Sequence, residues 1–516
     1  MKPFQKKVGY LIAGVVFSKL LLSAVLQLGN DEVYYLTYAQ QLQWNYFDHP
    51  PLTALVIKCF SANLLLRHEV FLRSGFIAIG GMQIWLMFMI GRKLGDAYTG
   101  WIAALLFTAS VYGSMISGFM IMPDAPLLLF WLSGILLVLH LDACTERRRR
   151  HGLWLLFGLA GGLAVMSKVS GVLLWAGLGC YMLCCRSAWF KEPGMYLSLL
   201  VTAVIAAPIV FWNLNNGGAG IGYHADRVAI HHFPVRADRF LREVLGEMAY
   251  NNPICYILGF AGAVCCCKNR LLPRKRLLLL FCFIAPLLLL VWFFSWFREV
   301  LPHWTGPSCV LLSFFGAVYI AHRYREKVLW PRVVKWAGAL TVAGVLLITA
   351  ASFFLPVAFH PKEALRTGKG DLTLDFTGWK AFARHFDAVY RRDIARGVMK
   401  PSAFILSDYW FPAAHMNWYL SGKYHYPFMA IGPLRDIHQF AWLNRQRPGL
   451  KAGADAYYIT VSNYYRKPGD RLIRSFDRVE GTETIPQVRM GQVVRYFYIT
   501  RLRHYKDGIG PSGVTD

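Results

Sequence analysis

The chain has 516 residues, of which 56% are hydrophobic and only 16% charged, with a formal net charge of +26. So much apolar sequence exceeds what one water-soluble core can bury, which excludes an ordinary soluble domain and points to a polytopic membrane protein. The basic excess lies in short clusters between apolar runs, as the positive-inside bias predicts, so it argues for membrane lipids and against nucleic acid as a partner.

The chain opens with MKPFQKK and an apolar run over 8–29. This has the charge layout of a secretory signal, but the run is long and lacks a small-x-small cleavage site before Asn30-Asp31, so it is read as an uncleaved first span. The stretch NDEVYYLTYAQQLQWNYFDHPPL, Asn30 to Leu52, follows and brings Asp31, Glu32, Asp48 and His49 just outside the membrane. The spacing of Tyr34, Tyr35 and Tyr38 predicts one aromatic helical face, and Pro50-Pro51 is expected to end that helix because neither can donate a backbone N–H. The plainer reading of these aromatics is an interfacial helix anchored at headgroup depth.

Apolar runs recur over 70–90, 100–116, 125–141, 153–166, 169–185, 196–212, 253–267, 277–297, 304–321 and 334–355, giving eleven candidate crossings with the first. The runs at 153–166 and 169–185 are short, yet Arg147 to Arg150 precede them and Arg186 and Lys191 follow, so both crossings are required. Parity then sets Lys6, Lys7, Arg92, Lys93, Arg147 to Arg150, Arg186, Lys268 to Arg276 and Arg323 to Lys335 on the cytoplasmic side. The opposite loops carry Asp31, Glu32, Asp48, Asp124 and a mixed-charge segment after Trp212. The N-terminus is expected inside and the tail after the last span outside, so 1–355 reads as a transmembrane domain with outer loops at 30–69 and 213–250.

The tail, 356–516, changes composition and is expected to be a soluble α/β domain of βαβ type. A helix is predicted over 377–392, and β-rich runs lie at 403–406, 456–461 and 493–500 among Gly, Pro and Asn. The eleven cysteines all lie between Cys59 and Cys309, mostly within apolar runs or beside basic loops, so most read as small apolar filler and not as a disulfide framework.

All the unusual polar groups of the membrane half now share one side: Asp31, Glu32, Asp48 and His49; Asp124 in MPDAP; Lys168 in MSKVS; His224 and Arg227 in YHADR; and His303 in REVLPH. Ionisable groups near or within spans are costly, which makes them functional candidates. A set of carboxylates and cations at one membrane surface suits group transfer from an anionic lipid: a carboxylate deprotonates an acceptor hydroxyl while cations stabilise a departing phosphate. A flippase for a lipid-linked sugar would share the spans and the cations, but it needs ionisable groups at mid-span with access to both sides.

The order DE, YFDHPPL, MPDAPLL, MSKVSG, PIVFWN and LPHW, with ILSDYWFPAAHMNWYLSGK in the tail, resembles the bacterial glycosyltransferases of families 39 and 83 across nearly the whole chain. These include protein O-mannosyltransferases and the lipid A aminoarabinose and galacturonic acid transferases. The resemblance implies a GT-C fold of about eleven spans with a C-terminal periplasmic α/β domain, in the bacterial inner membrane. It implies inverting transfer of a sugar from a polyprenyl-phosphate donor to an envelope glycolipid such as lipid A, or to a protein, at the periplasmic face. It further implies that Asp31 is the catalytic base, that Glu32 positions Asp31 or the acceptor, and that Asp124 binds acceptor or sugar. His49, Lys168 and Arg227 are the candidate donor-phosphate ligands. His49 stands where the aminoarabinose transferases have Lys, and with an ordinary pKa near 6.5 it would be a titrating phosphate ligand. Asp48 and His303 are the candidate ligands of a divalent metal, carboxylate and imidazole being ordinary zinc ligands; the alternative is a hydrogen-bonded pair or two separate polar residues.

Overall fold

The computed structural model describes residues 2–230 and 235–515, so four residues of the outer loop, 231–234, lie outside the described residues. Two compact units form: Met1–Ala24 with Gln43–Gly344, and Val25–Leu42 with Val345–Asp516. The helices, in chain order, are α1 (Lys2–Val25), α2 (Asn30–Gln40), α3 (Leu52–Phe60), α4 (Glu69–Leu94), α5 (Ala97–Ala109), α6 (Asp124–Ala143), α7 (Arg147–Ser167), α8 (Leu173–Cys185), α9 (Pro193–Asn215), α10 (Ala219–Val228), α11 (Ala237–Tyr250), α12 (Pro253–Lys268), α13 (Arg274–Ser295), α14 (Gly306–Tyr324) and α15 (Arg332–Phe354).

Every expected crossing falls on a helix: α1, α4 to α9 and α12 to α15. Seven of these stretches, among the described residues, are long and apolar enough to cross a membrane by length and composition. The other four differ for physical reasons. Helices α5 and α12 and the stretch 169–185 are short apolar helices, and α7 begins with Arg147 to Arg150, which lowers its mean hydropathy. The chain is a multi-pass membrane protein, and its outward faces carry bare apolar side chains such as Phe17, Leu21, Leu200 and Val204.

Within the bundle, small residues let helices approach closely, as lipid-embedded packing requires. A Cβ on Gly262 would stand 2.6 Å from the backbone of Phe315 and Gly316, so α12 and α14 meet there backbone to backbone. Buried polar side chains are satisfied by backbone carbonyls: Asn252 donates to Ala109 O at 3.1 Å and Ala337 O at 2.8 Å, and Lys19 Nζ to Gly118 O at 2.9 Å. Such bonds carry the polar groups that lipid cannot solvate.

The helices also sort charge by end. Lys93 feels the charges of Arg92, Arg276 and Arg149, and Arg276 donates to Leu94 O at 2.9 Å, so three basic clusters separate in sequence meet at one end of the bundle. Asp124 begins α6 at the other end, and α6 reaches His140 beside that cationic group.

The second unit is built on a five-stranded sheet ordered β2-β1-β3-β5-β4. Strand β1 (Phe404–Ser407) pairs in parallel with β2 (Phe428–Ala430) and β3 (Ala456–Val461), while β5 (Gln492–Tyr505) runs antiparallel to β3 and to β4 (Phe476–Arg489). Helix α16 (Trp379–Ala395) buries Trp379, Phe382, Phe386, Val389 and Tyr390 along one stripe. Phe382 stacks on Phe497 of β5 with centroids 4.0 Å apart. Helix α2 belongs to this unit: Tyr34 packs edge-on to Trp410 at 5.1 Å, at the start of α17 (Trp410–His415), and Tyr34, Tyr35 and Tyr38 are all buried. Their aromatic face is buried in the packing of this unit and is not an exposed interfacial anchor. Nor does the helix run to Pro50-Pro51; it ends at Gln40, where Gln41 turns extended (φ −140°, ψ 98°).

Candidate active site

Asp124 is 1% exposed at the N-terminal end of α6, where the helix dipole favours a carboxylate. Lys168, extended between α7 and the next short helical turn, places Nζ 3.0 Å from both carboxylate oxygens. Tyr112 donates its hydroxyl to Oδ1 at 3.1 Å. Tyr112 lies in a π-helical turn, Tyr112–Ile116, and its ring rests on the backbone of Gly306, where any Cβ would overlap it. A carboxylate that accepts two bonds from an ammonium and one from a phenol is locked in orientation, and the pair is nearly neutral as a unit.

Around this pair stand the other membrane-half candidates. His303 interacts electrostatically with Asp124, Lys168 and Arg227. His49 and His224 meet edge-on at 6.4 Å, and the carbonyl side of Asp48 holds His224. Removal from water, followed by the cations Lys168 and Arg227 and the two other histidines, holds His49 well below its ordinary value. His49 is therefore a neutral imidazole at neutral pH. The titrating phosphate ligand expected from its place in the sequence is replaced by a group that can accept or donate one hydrogen bond. Arg227 donates to Tyr223 Oη at 2.9 Å and lies over the rings of Tyr223 (5.2 Å) and Trp304 (5.0 Å).

Two acids that the sequence reading passed over complete this end. On α11, Glu243 and Glu247 are buried while Leu241 and Leu245 are more than half exposed, so the helix turns its acids inward and its leucines outward. Glu247 accepts from Tyr256 Oη at 2.8 Å and Trp292 Nε1 at 3.1 Å. Burial, then the Glu247 charge, pushes the Glu243 carboxyl up to about 8, so it keeps its proton at neutral pH.

In the second unit, Asp31 is exposed in the first turn of α2. Glu32 is fully buried, and its carboxylate accepts from Gly29 N at 2.8 Å, closing a capping box. Glu32 thus caps the first turn of this helix. Next to it, Asp375 is pushed up to about 7 by burial, against the pull of Arg495 and a hydrogen bond from Asn30, with Asp31 adding repulsion. Asn30 Oδ1 also meets His415 Nε2 at 3.0 Å, and His415 stacks on Trp379 at 3.8 Å.

The two residues expected to share a metal go to different partners: Asp48 to His224, and His303 to Asp124, Lys168 and Arg227. Among the described residues no group of three or more His, Cys, Asp or Glu side chains is placed to hold a metal ion, so the donor set does not fit one and no step is routed through it.

Residues 48–212, less than half of the chain, match the family model described as dolichyl-phosphate-mannose-protein mannosyltransferase. A lipid A galacturonosyltransferase, RgtD of Rhizobium johnstonii, is 23% identical over 345 residues, which cover 66% of this chain and 68% of that protein. Two crystal structures of ArnT from Cupriavidus metallidurans are similar in fold. The apo state has 15% identity and a TM-score of 0.56, covering 96% of this chain and 98% of that one. The state bound to undecaprenyl phosphate has 16% identity and a TM-score of 0.56, covering 95% and 97%. The fold is the GT-C membrane fold with a C-terminal domain.

Proposed function

We propose that this chain, a glycosyltransferase of the GT-C fold by its family match, its relative and its structural neighbours, moves a sugar from a polyprenyl-phosphate donor to a lipid A-type glycolipid. The reaction is a single inverting displacement. An acceptor oxygen attacks the anomeric carbon, the bond from that carbon to the phosphate oxygen breaks, and the electron pair leaves with the lipid phosphate. The acceptor's proton goes to Asp31, exposed in the first turn of α2. Arg227 and Lys168 face the phosphate as its negative charge grows, and Asp124 fixes Lys168 and contacts sugar or acceptor.

The observation that carries this reading is the buried Asp124–Lys168–Tyr112 unit, ringed by Arg227 and three histidines at the end of the bundle opposite Arg92, Lys93, Arg149 and Arg276. The cationic end takes the cytoplasmic side by the positive-inside rule, which assigns the reacting end and the C-terminal domain to the periplasmic face of a bacterial inner membrane. The test is mass spectrometry of envelope glycolipids from a deletion strain. Loss of a mass equal to one sugar from lipid A, restored by the wild-type chain and not by Asp31→Asn, is expected; unchanged lipid A would overturn the acceptor.

A further inference from the structure

An open groove of about 460 Å³ runs along the outside of the bundle between α4, α6 and α7. Its walls are apolar, formed chiefly by Phe130 and Leu136 of α6 and by Leu153, Leu156, Leu159 and Leu163 of α7. Its one ionic end is made by His140 and Arg149. From Arg149 to Leu163 the wall rises about 21 Å at 1.5 Å per residue, enough to cover one leaflet's share of a hydrocarbon core about 30 Å thick.

The ionic end is where the charge balance is unusual. His140 feels Lys93, Arg149 and Arg92, and Lys93 also feels Arg276. The nearby arginines are matched: Arg150 pairs with Glu192 at 2.6 Å and Arg186 with Asp142. Among the described residues none of Arg92, Lys93, Arg149 and Arg276 has such an ion pair. A concentration of uncompensated cations at the mouth of an apolar groove is complementary to one chemistry, an anionic headgroup carrying a hydrocarbon chain.

We propose that this groove is a binding site for an anionic glycerophospholipid of the bilayer, with its phosphate at Lys93 and Arg149 and an acyl chain along α6 and α7. The site is separate from the Asp124–Lys168 pair, which lies at the opposite end of α6; only the choice of a bilayer lipid over a polyprenyl phosphate rests on the glycosyl-transfer reading. A polyprenyl donor reacting at Lys168 would present its phosphate at the far end from these cations, which is why the groove is assigned to a bilayer lipid.

Native mass spectrometry of the purified full chain in detergent, titrated with phosphatidylglycerol or phosphatidylcholine of identical chains, tests this. The wild type is expected to hold phosphatidylglycerol at least tenfold more tightly. Lys93→Gln with Arg149→Gln should erase that preference, about tenfold or more for two cations. Ala160→Phe, which fills the groove floor, should weaken both lipids. Equal retention of the two lipids by the wild type, or an unchanged preference in the double variant, overturns the proposal. One-for-one displacement of phosphatidylglycerol by undecaprenyl phosphate overturns the occupant. If Ala160→Phe fails to fold, the charge variant decides.

Discussion

Removing one member of the Asp124–Lys168 pair should cost far more than removing both. Asp124→Asn keeps the shape and an acceptor for Tyr112 but leaves the Lys168 ammonium, whose side chain is 12% exposed, without its counter-ion. Breaking a buried pair from one side costs about 3–5 kcal/mol, and the residual exposure of Lys168 places the expectation at the lower end, about 3 kcal/mol. Lys168→Met leaves the more deeply buried carboxylate unpaired and should cost at least as much, offset in part by the Tyr112 hydroxyl. In the double variant no charge is stranded, so stability should return to within about 1 kcal/mol of wild type, a coupling of about 5 kcal/mol against single losses of about 3 kcal/mol each. The assay is unfolding in detergent followed by tryptophan fluorescence, beside turnover on a lipid-linked donor. The double variant should fold and remain inactive, separating the pair's structural part from its catalytic part. Single variants within about 0.5 kcal/mol of wild type, or a double variant whose loss is the sum of the two, would refute the description of a coupled buried pair.

Asp31→Asn should lower turnover about 100-fold or more while donor binding persists, measured with purified protein; near-normal turnover would return Asp31 to a helix N-terminal role. Arg227→Gln should lower kcat by roughly 100- to 1,000-fold if Arg227 faces the leaving phosphate in the transition state, whereas an effect confined to KM would mean ground-state binding alone. Asp375, pushed up to about 7 from an unfolded value near 3.9, binds a proton in the folded state that the unfolded chain has lost, so stability should fall as pH rises through that window and stay level above about 7. Asp375→Asn should therefore gain up to about 3–4 kcal/mol at pH 8 and nothing at pH 4, and a gain independent of pH in thermal unfolding scans would contradict the assignment.

The membrane half was legible because lipid demands long apolar runs and cannot hide exceptions. All eleven runs became helices, and the basic clusters at Lys93, Arg149 and Arg276 gathered at one end as their parity required. In the tail, β1, β3 and β5 were visible as apolar β-rich runs. Strand β2 was too short to stand out, and β4, alternately exposed along an edge, carries Asp477, Glu480, Glu483 and Pro486, which protect an edge and mask a strand signal. Asp124 and Lys168 could each be singled out for the cost of placing a charge there, but not as a pair, since 44 residues separate them. Tyr112 was hidden in a π-helical turn that no periodicity announces. Glu243 and Glu247 were hidden by an inversion: beside Leu241 and Leu245 they read as a solvated acidic face, and only lipid on the outside makes it reasonable for the acids to turn inward.

The same geometry ranks the cations that the sequence left equal. Lys168 spends its charge on Asp124, at 3.0 Å to both oxygens, so a phosphate approaching it meets a pair already close to neutral. His49 carries no charge at neutral pH, because the cations around it and its removal from water both oppose protonation. Arg227 is held in another way. It lies over Tyr223 and Trp304 and accepts its orientation from aromatic faces, with no ion pair among the described residues. Cation–π contacts fix a guanidinium while leaving its charge and most of its N–H donors available to an incoming anion. In the proposed reaction both cations face the leaving phosphate, Lys168 while also holding Asp124, and Arg227 brings the larger uncompensated charge.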